Sequence, residues 1–101
     1  MGSKPDWAED IARERIDILF DEAADAFPER QDRADRYVAI ARDIAMTFTL
    51  SLPDRHRRHV CSDCYSYIRP GANARVRVED GVKRVTCEEC GHTERTPLED
   101  D

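Results

Sequence analysis

Four cysteines stand in two Cys-x-x-Cys pairs, Cys61/Cys64 and Cys87/Cys90, with none left over. Each pair sets two thiolates on one tight backbone knuckle, where they grip one side of a tetrahedral metal. Two knuckles complete the four-sulfur shell that structural zinc prefers, so one structural Zn2+ held by Cys61, Cys64, Cys87 and Cys90 is the expected cofactor. Iron fits the same sulfur tetrahedron. Two disulfides would use the same residues but need an oxidising compartment. The N-terminus, Met1 to Asp6, has no apolar signal segment, which points to an intracellular, cytoplasmic protein and to metal. A closed sulfur shell leaves no position for water or substrate, so a metallohydrolase is not expected. His59 and His92 each sit two residues outside a knuckle, and with four cysteines at hand neither is expected as a ligand.

The second group with chemistry is basic. The formal net charge is −6, yet Arg55 to Arg84 holds eight basic residues against three acidic ones, about +5, which leaves about −11 elsewhere. Such asymmetry points to a polyanion partner on one part of the surface. The run Arg55-His56-Arg57-Arg58-His59 is the densest cluster, and arginine forks suit phosphate and can stack on exposed bases. A solvated linker whose charges offset nearby acids is the competing account. Fourteen of the 16 basic residues are arginine and Asp is abundant, a composition that suggests a halophilic source. No Ser-His-Asp arrangement, paired-carboxylate site or Gly-rich phosphate loop is present.

These residues need elements to position them. At 101 residues with 40% hydrophobic content, the chain holds one small domain, or a helical piece and a metal-stapled piece that share a core. No apolar run approaches a membrane span. Asp6 to about Phe27 reads as an amphipathic helix, with Asp6 as N-cap and Glu9 at capping-box spacing. Its apolar stripe is Ala8, Ile11, Ala12, Ile16, Leu19, Phe20, Ala23 and Phe27. Its regularly spaced acids, Asp17 among them, form a solvated face, and Trp7 is a helix-packing residue. Pro28 ends the helix. A second helix runs from about Arg33 to Thr49, with a stripe through Ala34, Tyr37, Val38, Ala41, Ile44, Ala45 and Phe48; Thr47 and Thr49 mark fraying before Pro53. A short connection predicts antiparallel packing.

Beyond Pro53 the period changes. Tyr65 to Ile68 is a strand candidate, and Tyr65 and Tyr67 suit base stacking or ribbon packing equally. Arg75 to Val78 alternates, Asp80-Gly81 is a two-residue hairpin signal, and Val82 to Thr86 returns. That turn pairs Val78 with Lys83, Arg77 with Arg84, Val76 with Val85 and Arg75 with Thr86. Cross-strand partners share a face, so Arg75, Arg77 and Arg84 line one side and Val76, Val78 and Val85 the other. Directly opposed arginines repel, and a phosphate backbone would make the pairing useful. A solvated sheet face with scattered charges is the plainer alternative.

The Arg15-Ile16-Asp17-Ile18-Leu19-Phe20 helix, Arg36-Tyr37-Val38, Ala41 to Met46, Leu52-Pro53, the two cysteine pairs, and Arg69-Pro70-Gly71-Ala72-Asn73-Ala74-Arg75-Val76-Arg77 together resemble the archaeal ribonuclease P protein component 4 family. That family is shared with a eukaryotic ribonuclease P/MRP subunit, and the likeness covers about residues 9 to 96. It implies an α+β fold of two N-terminal antiparallel helices and a C-terminal zinc ribbon in an L shape. The expected division is a helical hairpin at 6–50, a basic linker at 51–59, a ribbon at 60–95 and a disordered acidic tail at 96–101. The resemblance further implies a subunit of the enzyme that removes the 5′ leader from precursor tRNA. In that enzyme the RNA carries the chemistry, and this chain supports its folding and substrate binding. Ribonuclease P RNA, precursor tRNA and ribonuclease P protein component 1, as heterodimer partner on the helices, are the expected partners. Arg55, Arg57, Arg58, Arg75, Arg77 and Arg84 are the expected RNA contacts. Unlike the usual basic members, this chain is acidic overall, so at molar salt its binding must lean on close contacts rather than long-range attraction. The alternative is a zinc-ribbon protein-interaction module of transcription or ribosome assembly that touches no RNA.

Overall fold

The computed structural model of the chain describes residues 6–98. Helix α1 spans Asp6–Ala26, α2 Gln31–Thr47 and the short α3 Asp54–Arg57; strands β1 Ala74–Glu79, β2 Val82–Cys87 and β3 Thr93–Pro97 follow. The side chain of Asp6, and with it the expected capping box, lies outside the described residues. Among the described residues no helix is long and apolar enough to cross a membrane.

The two long helices pack antiparallel because their stripes are complementary in size. Ile16, Phe20 and Ala23 of α1 and Phe27 just beyond it meet Ala34, Val38, Ala41 and Ala45 of α2, all buried. Alanines on α2 let the backbones approach, and the large side chains of α1 fill the space between them. Tyr67, from the ribbon, completes this core at 2% exposure. The α2 terminus is not frayed. The Leu50 amide donates to the Ala45 carbonyl at 2.8 Å and the Thr49 amide to Met46 at 3.3 Å, a Schellman closure with Thr49 at φ +55°.

The sheet is three-stranded and antiparallel in the order β1-β2-β3. The β1–β2 register agrees with every pair expected from the sequence, from Arg75 opposite Thr86 to Glu79 opposite Val82, and extends one pair further, to Ala74 opposite Cys87. Asp80 and Gly81 both take positive φ, +51° and +73°, as a type I′ turn requires.

The structure departs from the sequence expectation in further places. Tyr65 to Ile68 is no strand; only Tyr67 bridges, to Val60, because Tyr65 at φ +62° belongs to the metal knuckle. Within the basic linker α3 winds one turn behind Pro53, an element the sequence reading did not name. The segment taken as the start of a disordered tail is ordered, because Thr96 and Pro97 pair with Lys83 and Val82 and the Leu98 amide bonds the Gly81 carbonyl at 2.8 Å. An exposed edge strand without an apolar period gives no sequence signal; Glu99 to Asp101 lie outside the described residues.

Candidate metal centre and nucleic-acid interface

The two knuckles are built alike. In the first, the Cys61 amide donates to the Ser66 carbonyl at 3.1 Å and the Tyr65 amide to the Cys61 carbonyl at 2.9 Å. In the second, the Cys87 amide donates to His92 at 2.9 Å and the Gly91 amide to Cys87 at 2.8 Å. Tyr65 and Gly91, at φ +62° and +84°, occupy the same left-handed position. Glycine takes it freely; at Tyr65 the Arg42 guanidinium lies over the ring, 3.6 Å from its centre.

The four sulfurs lie within 4.8 Å of one another, with Cys61–Cys90 at 3.6 Å and Cys64–Cys87 at 3.8 Å. A tetrahedral shell with metal–sulfur bonds of about 2.3 Å requires sulfurs about 3.8 Å apart. The group could therefore hold a metal ion. The amides of Asp63 and Cys64 point at Cys61 Sγ (3.4 and 3.5 Å) and that of Glu89 at Cys87 Sγ (3.3 Å), which favours thiolates. Burial raises the Cys64 thiol, but hydrogen bonds from Ser66 and neighbouring thiols draw it down to about 7. Burial pushes Cys87 up. The His92 amide favours a Cys90 thiolate, yet desolvation and the three other sulfurs push Cys90 to about 12. Cys64 is thus lowered while Cys87 and Cys90 are raised, an imbalance that a bound cation would relieve. His59 is otherwise engaged, with Nδ1 3.0 Å from the Ile68 carbonyl oxygen and its ring stacked on Tyr67.

The expected RNA residues fall into two groups. Arg75, Arg77 and Arg84 share one sheet face with Thr86, Thr93 and Arg95, around an open cleft of about 320 Å³. Arg75 reaches Glu88 at 3.3 Å and Arg84 reaches Glu79 at 3.9 Å, whereas Arg77 has no acidic partner among the described residues. Arg55, Arg57 and Arg58 ride on or beside α3. Arg57 pairs loosely with Asp54 at 3.5 Å, and Arg55 Nη2 donates to Asp17 Oδ1 at 2.9 Å. Arg55 is thus tied to α1.

The structure also joins residues that the sequence kept apart. His56 is buried, stacks on Phe20 with centroids 4.3 Å apart, and sets Nε2 2.6 Å from Asp17 Oδ1. An ionised carboxylate only accepts, so Nε2 carries the proton. Asp17 is held below its usual pKa by His56 first and also by Arg55; it is not merely part of a solvated face. Asp35 accepts the Tyr67 amide at 2.8 Å, and Arg69 donates to the Ala24 carbonyl at 2.9 Å beneath Phe27 and Tyr67. These contacts bind the ribbon to the helical arm. In the sequence these residues do not stand out from the other charged positions of their segments.

Trp7 does not pack inside the hairpin. It is 64% exposed and lines an apolar groove of about 240 Å³ with Ala8, Ile11, Ala12, Ile44 and Phe48. Exposed Ile18 and Ile40 extend that face at helical spacing.

A family model described as RNAse P Rpr2/Rpp21/SNM1 subunit domain matches residues 15–91. Ribonuclease P protein component 4 of Methanoculleus marisnigri is 47% identical, over 87% of this chain and 84% of its own length. The component 4 protein of Methanoregula boonei is 44% identical over 95% and 92% of the two chains. Among solved structures, a chain of an archaeal ribonuclease P cryo-EM structure with mature tRNA superimposes with a TM-score of 0.83 at 38% identity, covering 97% of this chain and 82% of that one. A structure of Pfu Rpp21 gives 0.63 at 38% identity, covering 85% and 99%.

Proposed function

The chain belongs to the family of RNAse P Rpr2/Rpp21/SNM1 subunits, and from that membership we propose how it serves ribonuclease P, the ribonucleoprotein that removes the 5′ leader from precursor tRNA. It is a protein subunit of that tRNA-processing enzyme, of the component 4 type. The relatives do not favour a separate interaction module of transcription or ribosome assembly.

The observation that carries the detailed reading is the convergence of four sulfurs on one point at the root of the arginine-faced sheet. One Zn2+ held by Cys61, Cys64, Cys87 and Cys90 pins the knuckles, and through them the pitch of β1 and β2. The ion is structural, since four thiolates fill its shell. The RNA supplies the catalysis. Arg57, Arg58, Arg75, Arg77 and Arg84 contact RNA, and Arg55 acts by fixing α3 on Asp17. Component 1 docks on the helical arm along the groove that begins at Trp7 and Ile11. The complex works in the cytoplasm.

Purifying the tagged protein from its native host in near-native salt, then sequencing the co-purifying RNA, tests this reading. Strong enrichment of ribonuclease P RNA with precursor tRNA is the expected result. No RNA above background, with other proteins in stoichiometric amounts, would overturn it.

A further inference from the structure

We propose that Arg95, on β3, completes a row with Arg77 and Arg84 that binds successive phosphates of an RNA backbone. This deepens the subunit role and rests on it.

The register is what creates the row. Arg77 lies opposite Arg84 on β1–β2, and Arg84 lies opposite Arg95 on β2–β3, so three guanidinium groups line up across the full sheet. Directly opposed side chains have Cβ atoms about 4.5–5.5 Å apart, and like charges at that distance repel. The protein itself balances little of this charge. Glu79 reaches Arg84 only at 3.9 Å, and neither Arg77 nor Arg95 has an acidic partner among the described residues. Arg84 Nε is buried and has no acceptor. In the next row Thr86 and Thr93 hydroxyls bond one another at 2.9 Å, which leaves one hydroxyl hydrogen free to donate into the same cleft.

The geometry selects the ligand. Two strand spacings set the backbones of the outer arginines about 10 Å apart, a span that suits the successive phosphates of a chain. The cleft lining is Arg and Thr, with no aromatic ring to stack a base. Contacts of this kind position a backbone without reading its sequence. Arg95 was invisible in the sequence because its strand was.

The test uses the full-length zinc-loaded chain, ribonuclease P RNA and a series of KCl concentrations. Each lost duplex phosphate contact lowers the slope of log K against log salt by about 0.9, and each single-strand contact by about 0.7. R95Q is expected to lose one such step and about three- to tenfold in affinity, and R77Q/R84Q/R95Q two to three steps on the order of that size each. R95K should keep the slope and lose affinity, because it retains the charge without the fork. R30Q, whose parent side chain pairs with Asp32 on the helical arm, should bind as wild type. An unchanged slope in R95Q, with wild-type zinc content and melting, overturns the proposal; if R95Q misfolds, R77Q decides by the same criterion. Equal competition by polyglutamate would also overturn it, in favour of an acidic protein partner. A wild-type chain that fails to bind ribonuclease P RNA would instead sink the subunit contact map itself.

Discussion

Cys87 closes β2 at 2% exposure, while Cys90 lies at the surface, so the sulfur cluster has an inner and an outer wall. Burial pushes the Cys87 thiol up, while hydrogen bonds from Ser66 and its sulfur neighbours draw Cys64 down. Metal binding removes that conflict by replacing the protons, and the binding free energy becomes folding free energy of the ribbon. Replacing Cys61 or Cys87 by Ser is expected to abolish stoichiometric zinc and the cooperative melting of the ribbon. Metal analysis together with a thermal melt checks this; full zinc content and unchanged melting would contradict it. The loss should rival the whole stability of a small domain, about 5–15 kcal/mol.

Between the knuckles, the turn after Arg69 is organised by one side chain. Asn73 is buried; its Oδ1 accepts the Arg69 amide at 2.8 Å, and its Nδ2 donates to the Tyr67 carbonyl at 2.9 Å. Gly71, at φ +90°, turns the chain between them. Asn73→Ala strands the part-buried Arg69 amide and the buried Tyr67 carbonyl, at a cost of about 1–3 kcal/mol. A chemical-denaturation midpoint shifted by that amount, with zinc retained, is expected; a loss below about 0.5 kcal/mol would show that the turn holds without Asn73. The same logic explains the elements. Asp80-Gly81 was readable because left-handed turn residues leave a compositional mark, whereas Thr49 and Tyr65 adopt that conformation with side chains that give no such mark.

At the scale of the molecule, which extends 48 × 38 × 20 Å, the helical arm and the sheet each pack chiefly on themselves. They are joined by Tyr67 buried in the helical core and by polar contacts at Asp17, Gln31, Asp35, Arg42 and Arg69. Asp17 and Asp35 carry pH signatures of opposite sense. The folded pKa of Asp17 is lowered from 3.8, so its contribution is fully present above that value and lost as pH falls through the lower folded one. Asp35 works in the opposite sense, since burial raises its pKa and penalises its ionised form. Asp17→Asn is expected to cost about 0.5–1 kcal/mol near neutral pH, a modest figure because the carboxylate is half exposed. The gap between variant and wild-type melting should close below pH 3.8. A gap that persists undiminished in acid would assign the cost to packing rather than charge.

Regular periods and short-range chemistry were legible in the residues themselves. The paired cysteines, the two helical stripes, the Asp80-Gly81 turn and the opposition of Arg77 to Arg84 all follow from spacing, because each depends on neighbours within one or two elements. What joins distant elements was decided only in three dimensions. The pairing of β3 with β2 added Arg95 to the basic face, and α3 tied Arg55 to Asp17. Those outcomes depend on backbone hydrogen bonds and single polar contacts across tens of residues, which satisfy buried groups without imposing any repeat on the chain.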